Sequence, residues 1–240
     1  AELTQRSANI KAKTNAIYLN EAGKTVKSGV KTGFIGAPNE SDNRAESEKG
    51  KLMDTQASYA IPLDLGIFNE ANKAKALEGL RSTITRTSVD DGGVKRPEYS
   101  LMTGFIGTAS ISEALSENGA DDLAYKLLTN KQYPSWLYSV VNGSSSIWER
   151  LNSYTVENGF GGNNSMNSFN HYSFGAVAAW MYNFSLGIQR DPNVPAFKSF
   201  ILQPTPDPNG EITSARGHYD SMYGQIRSSW RLEKGKLIYV

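Results

Sequence analysis

The chain of 240 residues has no cysteine and only two histidines. The first absence excludes a disulfide framework, a thiolate metal site and a cysteine nucleophile. The second argues against a histidine-rich metal centre, and no acidic stretch has the spacing of a calcium loop, so neither metal nor cofactor is expected. Neither sign of charge dominates, since 25 Lys and Arg face 24 Asp and Glu for a net charge of +1. The basic residues are scattered rather than striped, which leaves no footprint for nucleic acid or an anionic membrane. No run approaches the roughly twenty apolar residues of a membrane span. No basic segment followed by an apolar one opens the chain. Its first residues read as mid-helix text, which leaves open whether a targeting signal lies outside the chain. Lack of cysteine does not choose between a cytoplasmic and a secreted protein. What remains is ordinary globular material, 39 % apolar and 20 % charged, enough for one large domain or a domain plus part of another.

Helical periodicity dominates the first two thirds. Leu3, Ile10 and Ile17 recur at intervals of seven and predict a helix over residues 2–20. Residues 21–51 are polar and loop-like. A mostly apolar stretch over 53–68 has Asp54 or Thr55 as N-cap, and Pro62 either kinks it or opens a new turn. Ala71, Ala74, Leu77, Leu80 and Ile84 set out an amphipathic helix over 70–86. A turn at Asp90-Asp91-Gly92-Gly93 follows. Ile111, Ala114 and Leu115 mark a helix that Asn118-Gly119 ends, and Asp121 and Asp122 open another through Leu128. A last long helix is predicted from about Ser168 to Gly187. The string TGFIG occurs at 32–36 and at 103–107, a weak hint of two equivalent loops in an array of helix pairs.

The pattern changes after Pro192-Asn193-Val194-Pro195. Residues 197–202 are β-like. Over 225–232, Ile226, Ser228, Trp230 and Leu232 alternate with polar neighbours, and Glu233-Lys234-Gly235-Lys236 reads as a hairpin turn. The text stops inside an apparent strand, which suggests truncation or a missing partner segment. The expected organisation is mainly α over residues 1–192, as helical hairpins closing into a toroid or stacking, followed by antiparallel β structure over 193–240.

Chemistry-bearing residues crowd into one region. Glu149 lies between Trp148 and Arg150, downstream of Tyr133-Pro134-Ser135-Trp136. A Gly/Asn-rich loop at 159–164 follows, then Phe169-Asn170-His171-Tyr172. Aromatic rings, a carboxylate, Asn and His in forty residues suggest a sugar pocket holding a catalytic acid or base. Plainer readings stand beside this one. Glu149 can pair with Arg150 as a structural ion pair, and Trp136, Trp148 and Tyr133 can fill core. His171 can cap a carbonyl. The glycine-rich loop is no phosphate cradle, because no GKS/T follows and no strand precedes it.

From Thr103 onward the chain resembles the C-terminal half of family 78 glycoside hydrolases, the α-L-rhamnosidases. The matching strings run in order. They are Thr103-Gly104-Phe105 … Gly107-Thr108, Leu123-Ala124-Tyr125, Tyr133-Pro134-Ser135-Trp136, Trp148-Glu149-Arg150, Ser168-Phe169-Asn170-His171-Tyr172 and Gly187-Ile188 … Asp191-Pro192. Tyr223-Gly224 and Trp230 extend the match into the tail, and Thr55-Gln56-Ala57 begins it. The resemblance implies an (α/α)6 barrel, incomplete here, followed by the start of a β-sandwich. It implies an inverting hydrolase acting on a rhamnosylated glycoside, with Glu149 as general base and His171 bonding a sugar hydroxyl. Trp136, Trp148, Tyr133 and Asn170 are the further candidates around the sugar from their own chemistry. Inversion places the two carboxyls roughly 6.5–9.5 Å apart. The family's acid motif, rich in Gly, Trp and Asp, has no counterpart here. Glu40, Asp42, Glu46, Glu48 and Asp54 lie in a different context. The rest of the same enzyme, or a complementing fragment, is therefore the expected partner. A non-catalytic carbohydrate-binding module and another (α/α)6 hydrolase or lyase stay open as alternatives.

Overall fold

A computed structural model describes residues 2–29, 48–160 and 167–240. The first copy of TGFIG at 32–36, the carboxylates Glu40, Asp42 and Glu46, and most of the glycine-rich loop lie outside the described residues.

Helix α1 spans Glu2–Ile17, close to its predicted extent, but its apolar stripe is not buried. Leu3, Ile10 and Ile17 are 80 %, 50 % and 38 % exposed. A polar anchor holds the helix at its C-terminal end instead. The Asn15 amide donates to the Ile67 carbonyl at 2.9 Å and accepts from the Asn69 N–H at 3.0 Å and the Asn72 side chain at 2.9 Å.

Helix α2, Gln56–Asp64, begins where Thr55 and Ser58 form a reciprocal capping box, a device worth about 1 kcal/mol. It runs through Pro62 and stops two residues later, so Pro62 ends a helix rather than starting one. Helix α3, Glu70–Thr85, is capped by Asn69. Its buried face is Ala76, Gly79, Leu80, Thr83 and Ile84. Ala71 and Ala74 of the predicted stripe are exposed, so only the second half of that stripe meets the core. Gly79 lets α2 and α3 touch, because a Cβ there would lie 2.5 Å from the Tyr59 ring.

A short hairpin, β1 Ser88–Val89 with β2 Lys95–Arg96, turns at Asp90. Helix α4, Gly104–Glu117, buries Ile111, Ala114 and Leu115 as their spacing predicts. Gly119, at φ +70°, closes it. Helix α5, Asp121–Thr129, and helix α6, Trp136–Val141, follow. The core gathers Tyr59, Leu80, Ile84, Ile111, Leu115, Tyr125, Leu127 and Trp180. Tyr125 and Trp180 meet edge to face with centroids 5.0 Å apart.

The predicted long helix over 168–187 is corrected. Residues 167–172 are irregular, a 3-10 turn covers Ser173–Ala176, α7 is only Val177–Trp180, and a π turn ends the segment at Met181–Ser185. Local bonds compete with the helix at its predicted start. The Ser168 hydroxyl accepts from the Asn170 N–H at 3.1 Å, and the His171 N–H goes to the Ile147 carbonyl at 2.8 Å. Backbone groups spent in this way are not available to an α-helical ladder.

Gly187 turns the chain into the β segment at φ +77°, and a Cβ there would lie 2.1 Å from the Pro204 nitrogen. Strand β3, Ile188–Arg190, pairs antiparallel with β4, Phe200–Leu202. Strands β5 Ser214–Ser221, β6 Gly224–Glu233 and β7 Lys236–Tyr239 form an antiparallel meander. Ile226, Ser228 and Trp230 are buried on one face of β6, the alternation read from sequence. That face is bonded to the end of the helical part. The Trp230 indole donates to the Ser185 carbonyl and the Ser228 hydroxyl to the Leu186 carbonyl, each at 2.6 Å. The β6–β7 turn has Lys234 and Gly235 both at positive φ, as a two-residue hairpin turn requires.

Candidate active site

Glu149 stands at the base of a loop whose two ends are pinned together. The Glu149 N–H donates to the Ser168 carbonyl at 2.8 Å, and the His171 N–H donates to the Ile147 carbonyl at 2.8 Å. The Ser168 N–H returns to the Glu149 carboxylate, bonding Oε2 at 2.7 Å. Three bonds thus clasp residues 147–149 to 168–171 and fix the carboxylate's direction. Glu149 Oε1 has no hydrogen-bond partner among the described residues. No ion pair joins Glu149 to a cation there either, so the Glu149–Arg150 pair considered from sequence is absent.

The carboxylate lines an open cleft of about 390 Å³. Phe105 and Phe174 give it apolar walls, Arg96 and Arg150 add cationic side chains, and Tyr133 adds a phenol. Glu149 is the only carboxylate among the described residues lining it. The cleft rim at Met102 and Thr103 is held by buried Gln56, which accepts from the Met102 N–H at 2.7 Å and donates to the Ser100 carbonyl at 2.8 Å.

Tyr133, which the sequence left between pocket and core, is buried and lines the cleft. Its hydroxyl donates to Asp90 Oδ2 at 2.6 Å. Burial, and then the Asp90 carboxylate beside it, push its phenol well above the ordinary tyrosine range. Asp90 also accepts from the Gly92 and Val94 N–H groups at 2.9 and 2.8 Å. Burial alone would raise the Asp90 carboxyl, but these bonds together hold it below its usual range.

His171 sits at the rim, its ring stacked on Phe105. Asn170 is exposed beside it. The two tryptophans are not on the cleft wall. Trp136 is buried in the main core and its indole N–H is taken by the Phe174 carbonyl at 2.8 Å. Trp148 is buried among Tyr154 and Phe169, with centroids 6.4 and 5.5 Å away. An indole fills core as readily as it floors a pocket, and sequence does not separate the two. Sequence reading also missed Asp90, Arg96, Phe105 and Ser168. Asp90 carried one signal, since Asp-x-Gly favours a side chain that bonds its own turn. Among the described residues no group of His, Asp and Glu is placed to hold a metal ion, and no helix there is long and apolar enough to cross a membrane.

The model of the bacterial α-L-rhamnosidase six-hairpin glycosidase domain matches residues 1–184. The chain belongs to this α-L-rhamnosidase family. The model of the bacterial α-L-rhamnosidase C-terminal domain matches residues 187–240. An α-L-rhamnosidase of Formosa agariphila is 39 % identical over 193 residues, 79 % of this chain and 19 % of that protein. One from Streptomyces avermitilis is 33 % identical over 190 residues, 79 % of this chain and 17 % of that protein. The crystal structure of the Streptomyces avermitilis α-L-rhamnosidase complexed with L-rhamnose aligns at TM-score 0.75 and 28 % identity. That alignment covers 98 % of this chain and 19 % of the other. The Aspergillus terreus α-L-rhamnosidase shares the fold at TM-score 0.74 and 24 % identity. The chain thus spans less than a fifth of the length of these two curated relatives. It has the family's helical hairpins followed by antiparallel sheets.

Proposed function

We propose that this chain is the base-bearing part of an inverting α-L-rhamnosidase. The observation that carries the reading is the Glu149 carboxylate, fixed by the Ser168 amide and lining a cleft with an aromatic wall, in a chain of this family. In the proposed reaction a water molecule sits between Glu149 and the anomeric carbon of an α-L-rhamnosyl group. Glu149 takes a proton from the water as its oxygen attacks that carbon, while the bond to the leaving oxygen breaks on the opposite face. The leaving oxygen takes a proton from a second carboxyl group, and the sugar is released with inverted configuration. Arg150 is the sugar's hydrogen-bond donor in this reading, the Tyr133 hydroxyl, its proton held by Asp90, is an acceptor, and His171 stands at the rim.

That Glu149 is the single carboxylate among the described residues lining the cleft supports a division of labour. Hydrolysis belongs to the complete enzyme, in which another segment brings the acid. The chain alone binds rhamnosides without turning them over, which is the carbohydrate-binding alternative in its strongest form.

The test is Glu149→Gln in the complete enzyme carrying this segment. It removes the base and keeps the shape, so hydrolysis of an aryl α-L-rhamnoside is expected to fall by about 10³-fold or more, with an unchanged melting temperature. NMR of the unaltered enzyme's first product is expected to give the β-anomer. Near-normal turnover in the variant, or an α-configured first product, overturns the reading.

A further inference from the structure

Strand β6 has a second face. Ile226, Ser228 and Trp230 are buried on the side bonded to the helical part. Side chains alternate along a strand, so Arg227, Ser229 and Arg231 stand on the outer side. The register of the sheet sets β5 and β7 residues beside them. Arg216 lies opposite Ser229, His218 opposite Arg227 and Ser214 opposite Arg231. Ile238 flanks Arg231 from β7, and Val240 exchanges two backbone bonds of 2.8 Å with Ser229. Ser214, Arg216, Ser229, Arg231, Ile238 and Val240 line a shallow depression of about 390 Å³ there.

Three guanidiniums thus surround Ser229, one across the ladder and two at neighbouring positions of its own strand. The carboxylates on this face neutralise only part of that charge. Glu233 pairs with Arg231, and Asp220 stands 3.7 Å from His218. Arg216 and Arg227 have no carboxylate partner among the described residues. Arg227 bonds the neutral Gln225 side chain through Nε at 2.5 Å, which occupies one of its five donors. Like charges on adjacent strands repel, and these exposed arginines fill no core. A bound anion offsets the repulsion. The planar guanidinium fork matches a carboxylate with two parallel bonds. The hydroxyls of Ser214 and Ser229 suit a sugar's own hydroxyls, and Ile238 and Val240 offer an apolar edge to its C–H groups.

We propose that the outer face of this sheet is a binding site for a carboxylate-bearing saccharide, a uronate unit of an acidic polysaccharide, with Arg216 as the carboxylate's main partner and Arg227 and Arg231 beside it. Membership of a glycosidase family and the serines between the arginines favour a saccharide over an acidic peptide. The site lies on the β segment and does not depend on the reading of the Glu149 cleft.

Calorimetric titration of this chain at low ionic strength with trigalacturonate, and with the same trisaccharide fully methyl-esterified, tests it. The acid is expected to bind about tenfold more tightly than the ester, and added salt to weaken it. Arg216→Gln is expected to erase that preference. Arg6→Gln, which removes the same charge from exposed α1, is expected to keep it. Both side chains are exposed, and a circular-dichroism melt checks that each variant stays folded. No binding of the acid, equal binding of acid and ester, or equal loss in the two variants overturns the proposal. Hexaglutamate binding as tightly as trigalacturonate, with the same dependence on Arg216, assigns the face to acidic peptides and overturns the saccharide. Displacement of trigalacturonate by methyl α-L-rhamnoside would place the ligand in the Glu149 cleft and overturn it too. Failure on any of these counts leaves the reading of Glu149 standing.

Discussion

At the scale of single residues, the site depends on backbone amides and neutral donors more than on ion pairs. Glu149 is aimed by an amide from a residue nineteen positions away, and Tyr133 by a carboxylate forty-three positions away. Tyr133→Phe removes the donor that Asp90 shares with two amides. It is expected to cost about 1–2 kcal/mol, read as a lower urea midpoint with an unchanged slope. These distances also explain what the sequence made legible. Glu149 stood out because its immediate neighbours are unusual. Ser168 and Asp90 did not, because each acquires its role from a partner far along the chain. Trp136 and Trp148 carried a signal for aromatic mass but none for which way that mass faces.

At the scale of elements, periodicity was reliable where a helix has one long face against the core. It located α3 and α4, and alternation located β6. It failed for α6, six residues long and too short to show a period. It also failed for β5, whose text Ser-Ala-Arg-Gly-His-Tyr-Asp-Ser has no apolar alternation. The helix predicted from Ser168 was lost to local polar bonds, which a hydrophobic stripe does not reveal. Helix α1 is the reverse case, with a clear stripe and no burial. Its attachment is therefore expected to respond to polar rather than apolar changes. Asn15→Ala strands the Asn69 N–H and the Ile67 carbonyl, and is expected to cost about 1–3 kcal/mol. Ile10→Ser is expected to stay within about 0.5 kcal/mol of the unaltered chain. Chemical denaturation of the two variants side by side distinguishes them.

At the scale of the whole molecule, two sets of carboxylates pull the pH dependence of stability in opposite directions. Burial would raise Asp54, but the Tyr59 hydroxyl at 2.6 Å and Arg86 at 2.7 Å outweigh it and hold the carboxyl below its ordinary 3.8. Asp90 is lowered as well. Both contribute stability that is complete above the ordinary value and is lost as pH falls through their lower folded values. Glu113 and Glu117 are raised, first by burial, with Asp64 nearby adding repulsion to both. Their contribution is complete below the ordinary 4.5 and is lost as pH rises through their higher folded values. The melting temperature is therefore expected to rise on mild acidification from neutrality and to fall below about pH 4. Glu117→Gln is expected to raise it at neutral pH and to flatten the first rise, as scanning calorimetry across pH will read.

The clasp between residues 147–149 and 168–171 has a practical consequence for altering the chain. Because the loop is closed at its base by three bonds, the segment it encloses can change length or composition while the carboxylate keeps its bearing. Loop-closure entropy rises only slowly with length, by about 0.6 kcal/mol per doubling. The exposed side chains of Val156 and Glu157 are thus natural sites for randomisation, where libraries can vary the loop without loosening the carboxylate.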